Sequence, residues 1–213
     1  MTRLTTKIHN SIKNKLDSAR EYMDLFFIDS KEEMKRDHFN HISTVHGLIS
    51  HSSNECKNIL FVMNNQYCSL ETFIDELDLR AYLSLNTLNI NHSIVKKNIK
   101  DDINLQPQTT QYLLDGYTEA INNIAKHSCA KTVRIILSHK KNKVTLSVTD
   151  DGIGFDYVLD QKNNNLTLLK SDKKKTSYGL SLMMEYSLKL NAIFSIQSKS
   201  GRGTTFKLSI ENE

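Results

Sequence analysis

Glu119-Ala120-Ile121-Asn122-Asn123-Ile124-Ala125-Lys126-His127 and Asp150-Asp151-Gly152-Ile153-Gly154-Phe155 decide the fold of this chain. In the first segment a spacing of four sets the Glu119 carboxyl and the Asn123 carboxamide on one face of a helix. In the second, a strand runs into two acids and a turn flanked by glycines. Side by side, the two segments offer hard oxygen atoms to a metal-bound phosphate at one end and an acceptor to an adenine ring at the other.

The text around them alternates short elements. Pro107, the only proline, stands where a helix starts, and the helix runs to about His127. Thr132–Ser138 and Val144–Thr149 alternate as two strands, with Lys140–Lys143 as the polar turn between them. Residues 157–176, rich in Asn and Lys, read as a mobile loop. Helix returns over Gly179–Leu190, and the strands Ile193–Ser198 and Thr204–Ile210 close around Ser200-Gly201-Arg202-Gly203. Upstream, Leu70–Leu85 is helical text and Ser93–Ile99 reads as an edge strand.

Each candidate residue has a chemical reason. Asn123 offers a neutral amide oxygen to Mg²⁺, and Glu119 can orient a metal-bound water. Lys126 and His127, at the helix end, reach toward phosphate oxygens. Asp150 accepts the exocyclic amino proton of adenine, while Gly152 and Gly154 let the backbone pass close to the ring. Gly179, with Leu180 after it, opens a helix whose amides meet phosphate. Gly203 and Thr204 supply a tight turn and a hydroxyl near the base. No GxxxxGK[ST] occurs, which excludes a P-loop as the phosphate cradle.

Taken in this order, residues 107–210 resemble the ATP-binding domain shared by sensor histidine kinases, gyrase-type topoisomerases and Hsp90-type chaperones. Glu119 to Asn123 with Lys126-His127 is similar to the family's N box, and Asp150 to Gly154 to its G1 box. Gly179-Leu180 is similar to its G2 box, and Gly201 to Thr204 to its final glycine turn. The resemblance implies that Asn123 ligates Mg²⁺, Asp150 reads adenine and Glu119 assists at the phosphates. Ser177 stands where many members carry the first G2 glycine.

The N-terminal third has a different period. Leu4, Ile8, Ile12, Leu16, Ala19, Met23 and Phe26 recur in steps of four and three, as one buried helix stripe does. After Asp29, Ser30 and Glu33 form a capping box. A second helix then carries Ile42, Val45, Ile49, Ser52, Cys56, Ile59 and Met63 at heptad spacing. Two such helices leave one apolar side open, which a homodimeric four-helix bundle covers.

The helix Thr6 to Leu16 is similar to the His-box helix of the histidine-kinase subfamily that works with helix-turn-helix response regulators. By that resemblance His9 is the phosphoacceptor. Its usual neighbour is an acid, where this chain has Asn10, which can hold the ring but cannot act as a base. Asn14 occupies the position of a glutamine thought to aim a water in phosphatase chemistry. His46 sits in a competing box, but it leaves too little chain for a second long helix. His38 and His41, without a third ligand, read as solvated.

Composition bounds the rest. The 28 basic and 24 acidic residues give a formal +4, a modest excess. Lys170 to Lys175 is the one dense basic run and reads as a solvated loop, so no nucleic-acid partner is expected. Cys56, Cys68 and Cys129 show no CxxC spacing, which points to a reducing compartment. No stretch reaches about 18 apolar residues and no signal core opens the chain, so a cytoplasmic location and no membrane span are expected.

The expected fold class is α+β. Residues 1–66 form a dimerisation and phosphotransfer hairpin, and residues 67–213 an α/β sandwich ATPase domain with a mixed, mainly antiparallel sheet. The expected function is an ATP-dependent histidine kinase of a two-component system that phosphorylates a response regulator. Its input comes from a separate sensor protein or from a sensor domain outside this chain. One alternative is a phosphotransfer or docking module with weak autokinase activity, the clue being Asn10. Another is an anti-sigma-type serine kinase, which would need no His-bearing hairpin.

Overall fold

The computed structural model describes residues 54–99, 103–160, 165–170, 173–176 and 178–212, together with Lys15, Ala19, Val45, Ile49 and Ser52. The chain divides into two compact units, Met1–Asn64 and Asn65–Glu213.

Within the first unit, Lys15, Ala19, Val45, Ile49, Ser52 and residues 54–64 are helical. Lys15 Nζ pairs with the Glu55 carboxylate. The buried stripe of the later helix is Glu55, Asn58, Ile59 and Val62, while Ile49, Leu60 and Met63 are exposed. Of the expected heptad seam, Ile59 is therefore inside and Ile49 and Met63 face outward. His9, Asn10, Asn14, His46 and the stripe from Leu4 to Leu16 lie outside the described residues.

The second unit is built on a five-stranded sheet. Its elements are β1 (Cys68–Ser69), α1 (Leu70–Leu85), β2 (Asn91–Lys97), β3 (Asn104–Leu105), α2 (Pro107–Asn123), β4 (Thr132–Lys140) and β5 (Lys143–Asp150). After them come β6 (Asp156–Asp160), β7 (Asn165–Lys170), β8 (Lys173–Thr176), α3 (Tyr178–Lys189), β9 (Ile193–Ser198) and β10 (Thr204–Glu211). The sheet order is β2-β4-β5-β10-β9. Only β2 and β4 run parallel; the other three pairings are antiparallel. The α+β class and the mixed, mainly antiparallel sheet are thus as expected.

Alternation explains which face is covered. Val133, Ile135 and Leu137 of β4, Val144, Leu146 and Val148 of β5, and Phe206, Leu208 and Ile210 of β10 are all buried. They share one face, because successive strand residues point to opposite sides. The helices pack on that face: α2 against β5 and β10, α3 against β9, α1 against β2. Gly116 lets α2 come close, since a Cβ there would fall within 2.9 Å of Met183 Cε and against Leu208 Cδ1. The Tyr117 hydroxyl donates to the Leu77 carbonyl at 2.7 Å and ties α2 to α1 beneath the surface.

Helix starts follow their local chemistry. Ser69 caps α1 by accepting from Thr72 N at 3.1 Å, satisfying one of the amides a helix start leaves open. Pro107 takes the first turn of α2, where a missing N–H costs nothing.

One expectation fails. The segment read as a loop over 157–176 carries three antiparallel strands, β6-β7-β8, as a separate sheet. Tyr157, Val158 and Leu159 pair with Leu168, Thr167 and Leu166. These residue types favour extended pairing, and the lysine run that suggested a loop is itself strand, β8 reading Lys173-Lys174-Lys175-Thr176. Two further pieces escaped the periodicity: the two-residue pair β1–β3, and the π-type turn Ile124–Ser128 that ends the α2 helix.

Candidate active site

Strand parity aims Asp150 at the helices. It continues the inward series Val144, Leu146, Val148, and is itself buried at the end of β5. Register then extends the row across the sheet: Asp150 pairs with Thr204, and Thr204 with Ser198. The three polar side chains therefore stand on one line at the helix-facing edge.

The two deciding segments are joined directly. The Ser128 carbonyl, at the end of the π-type turn, accepts from Ile153 N at 2.8 Å. A Cβ on Gly152 would collide with that same carbonyl and fall within 2.8 Å of Asp150 Oδ1. Only glycine allows so close an approach of the loop to the helix end. Ser128 Oγ in turn donates to Ile124 O at 2.8 Å and accepts from Ala130 N at 3.0 Å, which fixes the turn.

Asp151 has a different task from its neighbour. Its carboxylate accepts from Lys131 N at 2.8 Å, Thr132 N at 2.9 Å and Thr132 Oγ1 at 2.8 Å. These donors, led by the Thr132 amide, hold its pKa below the usual carboxylate value. It anchors the loop to the start of β4 and leaves Asp150 on the buried, helix-facing side of the sheet.

Asp150 behaves oppositely. Burial pushes its carboxyl up, although Gly152 N donates to Oδ1 at 2.9 Å and the Thr204 amide also favours the charge. Burial also pushes the Glu119 carboxyl up, opposed by the Asn123 amide and by Lys126. Asn123 Nδ2 donates to Glu119 Oε1 at 2.9 Å. With the amide nitrogen committed there, the Asn123 oxygen is the atom left for a cation.

The later glycines complete the walls. Gly179, in the first turn of α3, lies directly on the Glu119 carboxylate, with no space for a Cβ. Leu180 beside it is buried. Gly203, at φ +69, presses on the Asp150 backbone, and Gly154, at φ +58, on the Lys199 and Gly203 carbonyls. Lys126 and His127 are exposed on the π-type turn. Of the expected site residues, Glu119, Asn123 and Gly179 form one cluster, and Asp150, Gly152, Gly154, Gly203 and Thr204 another. The Ser128–Ile153 bond links them. His9, Asn10, Asn14 and Ser177 lie outside the described residues.

Three residues of the site were missed by motif reading: Ser128, Asp151 as an anchor, and Ser198. Ser198 had a signal, since it sits on the inward parity of its strand opposite Thr204.

Residues 113–213 match the family described as histidine kinase-, DNA gyrase B-, and HSP90-like ATPase. The sensor histidine kinase LiaS of Bacillus subtilis is 32% identical over 92 residues, 43% of this chain and 22% of LiaS. The sensor histidine kinase ComP of the same organism is 36% identical over 95 residues, 45% of this chain and 11% of ComP. The chain thus spans about a fifth or less of the curated relatives it matches. The histidine kinase domain of the Erythrobacter litoralis blue-light activated histidine kinase has a like fold. Its TM-score is 0.57 at 13% identity, covering 97% of this chain and 94% of that one.

Residues 113–213 are thus similar to that ATPase family. The family match and both kinase relatives each cover less than half of this chain, and the like fold extends over 97% of it.

Proposed function

We propose that this chain binds ATP between Asn123 and Asp150, autophosphorylates His9, and passes the phosphoryl group to an aspartate of a response regulator. The observation that carries the reading is the row of buried Asp150 and half-buried Thr204, bonded through Ser128 and Ile153 to the helix bearing Glu119 and Asn123.

The residues present suit Mg²⁺ with ATP. Asn123 gives one neutral oxygen and Glu119 a carboxylate beside it, and Mg²⁺ takes its remaining ligands from phosphates and water. When bound, the ion neutralises charge on the phosphates. Glu119 orients water at that end, and Lys126 and His127 meet phosphate oxygens from the exposed turn. Asp150 accepts from the exocyclic amine of adenine, while Gly152, Gly154 and Gly203 bring backbone against the ring. In the transfer, a His9 ring nitrogen bonds to the γ-phosphorus as the bond to the β-bridging oxygen breaks and ADP leaves. Asn10 holds the other ring nitrogen, and Asn14 aims a water in the separate, hydrolytic phosphatase reaction.

Residues 1–66 are then the dimerisation and phosphotransfer hairpin, and residues 67–213 the ATP-binding domain. Exposure of the heptad residues Ile49 and Met63 supports a homodimer, since a second copy would cover them. Among the described residues no helix is long and apolar enough to cross a membrane. We place the domain in the cytoplasm, with its input from a separate sensor or from further sequence.

Incubation with γ-labelled ATP and Mg²⁺ tests the reading. The expected product is acid-labile and alkali-stable, and is absent from His9→Gln. A His9→Gln chain labelled as well as the parent overturns His9 as acceptor. Asn10 supports a second reading, a docking module with weak autokinase activity; a sharp rise in labelling on Asn10→Asp would favour it.

A further inference from the structure

We infer that Ser198 is a specificity-positioning residue, which sets the Thr204 hydroxyl to accept from the base and so favours adenine over guanine. The inference rests on the ATP reading of the pocket. A serine hydroxyl has one proton and two lone pairs, and three neighbours claim them. Phe155 N donates to Ser198 Oγ at 2.9 Å. Ser198 Oγ donates to the Gly203 carbonyl at 3.2 Å. Thr204 Oγ1 stands 2.9 Å away.

With its proton on Gly203 and one lone pair on Phe155 N–H, Ser198 meets Thr204 as an acceptor. The Thr204 proton then points back along the sheet, and its lone pairs face the row that holds Asp150. Thr204 and Asp150 together present acceptors to the base edge. Adenine brings an amino donor to such an edge, whereas guanine brings a carbonyl oxygen at the same position. Lone pairs set against that oxygen leave it without a donor, the mismatch that makes hydrogen-bonding sites selective. The same hydroxyl ties Phe155, at the end of the glycine loop, to Gly203, so both walls of the base pocket hang on one atom.

Calorimetric titration of the full chain with ATP and with GTP, in Mg²⁺, tests this. The wild type should prefer ATP, and Ser198→Ala should narrow the ATP-to-GTP affinity ratio by about tenfold. Ser198→Thr, which keeps the hydroxyl, should restore it. Thr204→Val removes the same lone pairs from the other side and should narrow the ratio likewise, with no further change in the double variant. An unchanged ratio in Ser198→Ala and Thr204→Val, even with both nucleotides bound more weakly, overturns the inference and leaves the ATP site standing. A wild type that binds neither nucleotide overturns the ATP reading and the inference with it.

Discussion

Gly201 and Gly203 both adopt left-handed backbone, at φ +76 and +69, yet they differ in what surrounds them. Around Gly201 nothing lies within 4 Å of where a Cβ would be. At Gly203 that Cβ would collide with the Asp150 carbonyl, and lie 3.0 Å from its carbon and 3.2 Å from Asp151 Cα. Replacement by alanine costs each site about 1–2 kcal/mol for a left-handed L-residue. Gly203→Ala adds an overpacking cost of about 1–3 kcal/mol, because the obstacle is backbone rather than a movable side-chain tip. The two variants should therefore be separated by roughly 1–3 kcal/mol in urea unfolding followed by circular dichroism. The extra cost falls on Asp150, so ATP affinity should drop in Gly203→Ala and hold in Gly201→Ala. Equal destabilisation of the two variants would refute the close contact between the final glycine turn and the end of the strand that carries Asp150.

Other outcomes follow from the same geometry. The raised Glu119 carboxyl makes the folded state the tighter proton binder. Its stabilising contribution is complete below the ordinary pKa of 4.5 and is lost as pH rises through the raised value. Glu119→Gln should flatten that part of the urea midpoint against pH, leaving the similar slope due to Asp150. Burial pushes the Cys68 thiol up to about 11, so in native protein at pH 8 a disulfide reagent should label exposed Cys129 promptly and Cys68 only after unfolding. Gly116→Ala should cost about 1–3 kcal/mol by forcing Leu208 and Met183 aside, and Leu208→Val in the same chain should recover part of it.

Much of the second unit was legible because its alternation is strict. Val144, Leu146, Val148 and Asp150 form one period-two series, so the inward aim of Asp150 could be read directly. Glu119 and Asn123, four apart, share a helix face and a hydrogen bond as their spacing requires. What stayed hidden depends on partners distant in sequence. Asp151 looks like a second pocket acid until its bonds to Lys131 and Thr132 turn it into an anchor. The strands within 157–176 were masked by their Asn and Lys composition, although Val158, Leu159, Leu166 and Leu168 carry the pairing residues. The buried stripe of residues 54–64 includes Glu55 and Asn58, which no hydrophobic count selects, and Glu55 is matched by Lys15 some forty residues away.

Asp150 is the residue proposed to read the base of ATP. Calorimetric titration of ATP with Mg²⁺ into the wild type and into Asp150→Asn measures this most directly. Saturable binding by the wild type, lost or weakened at least about tenfold in the variant, is the predicted result. Equal affinity for ATP in the two proteins would contradict it.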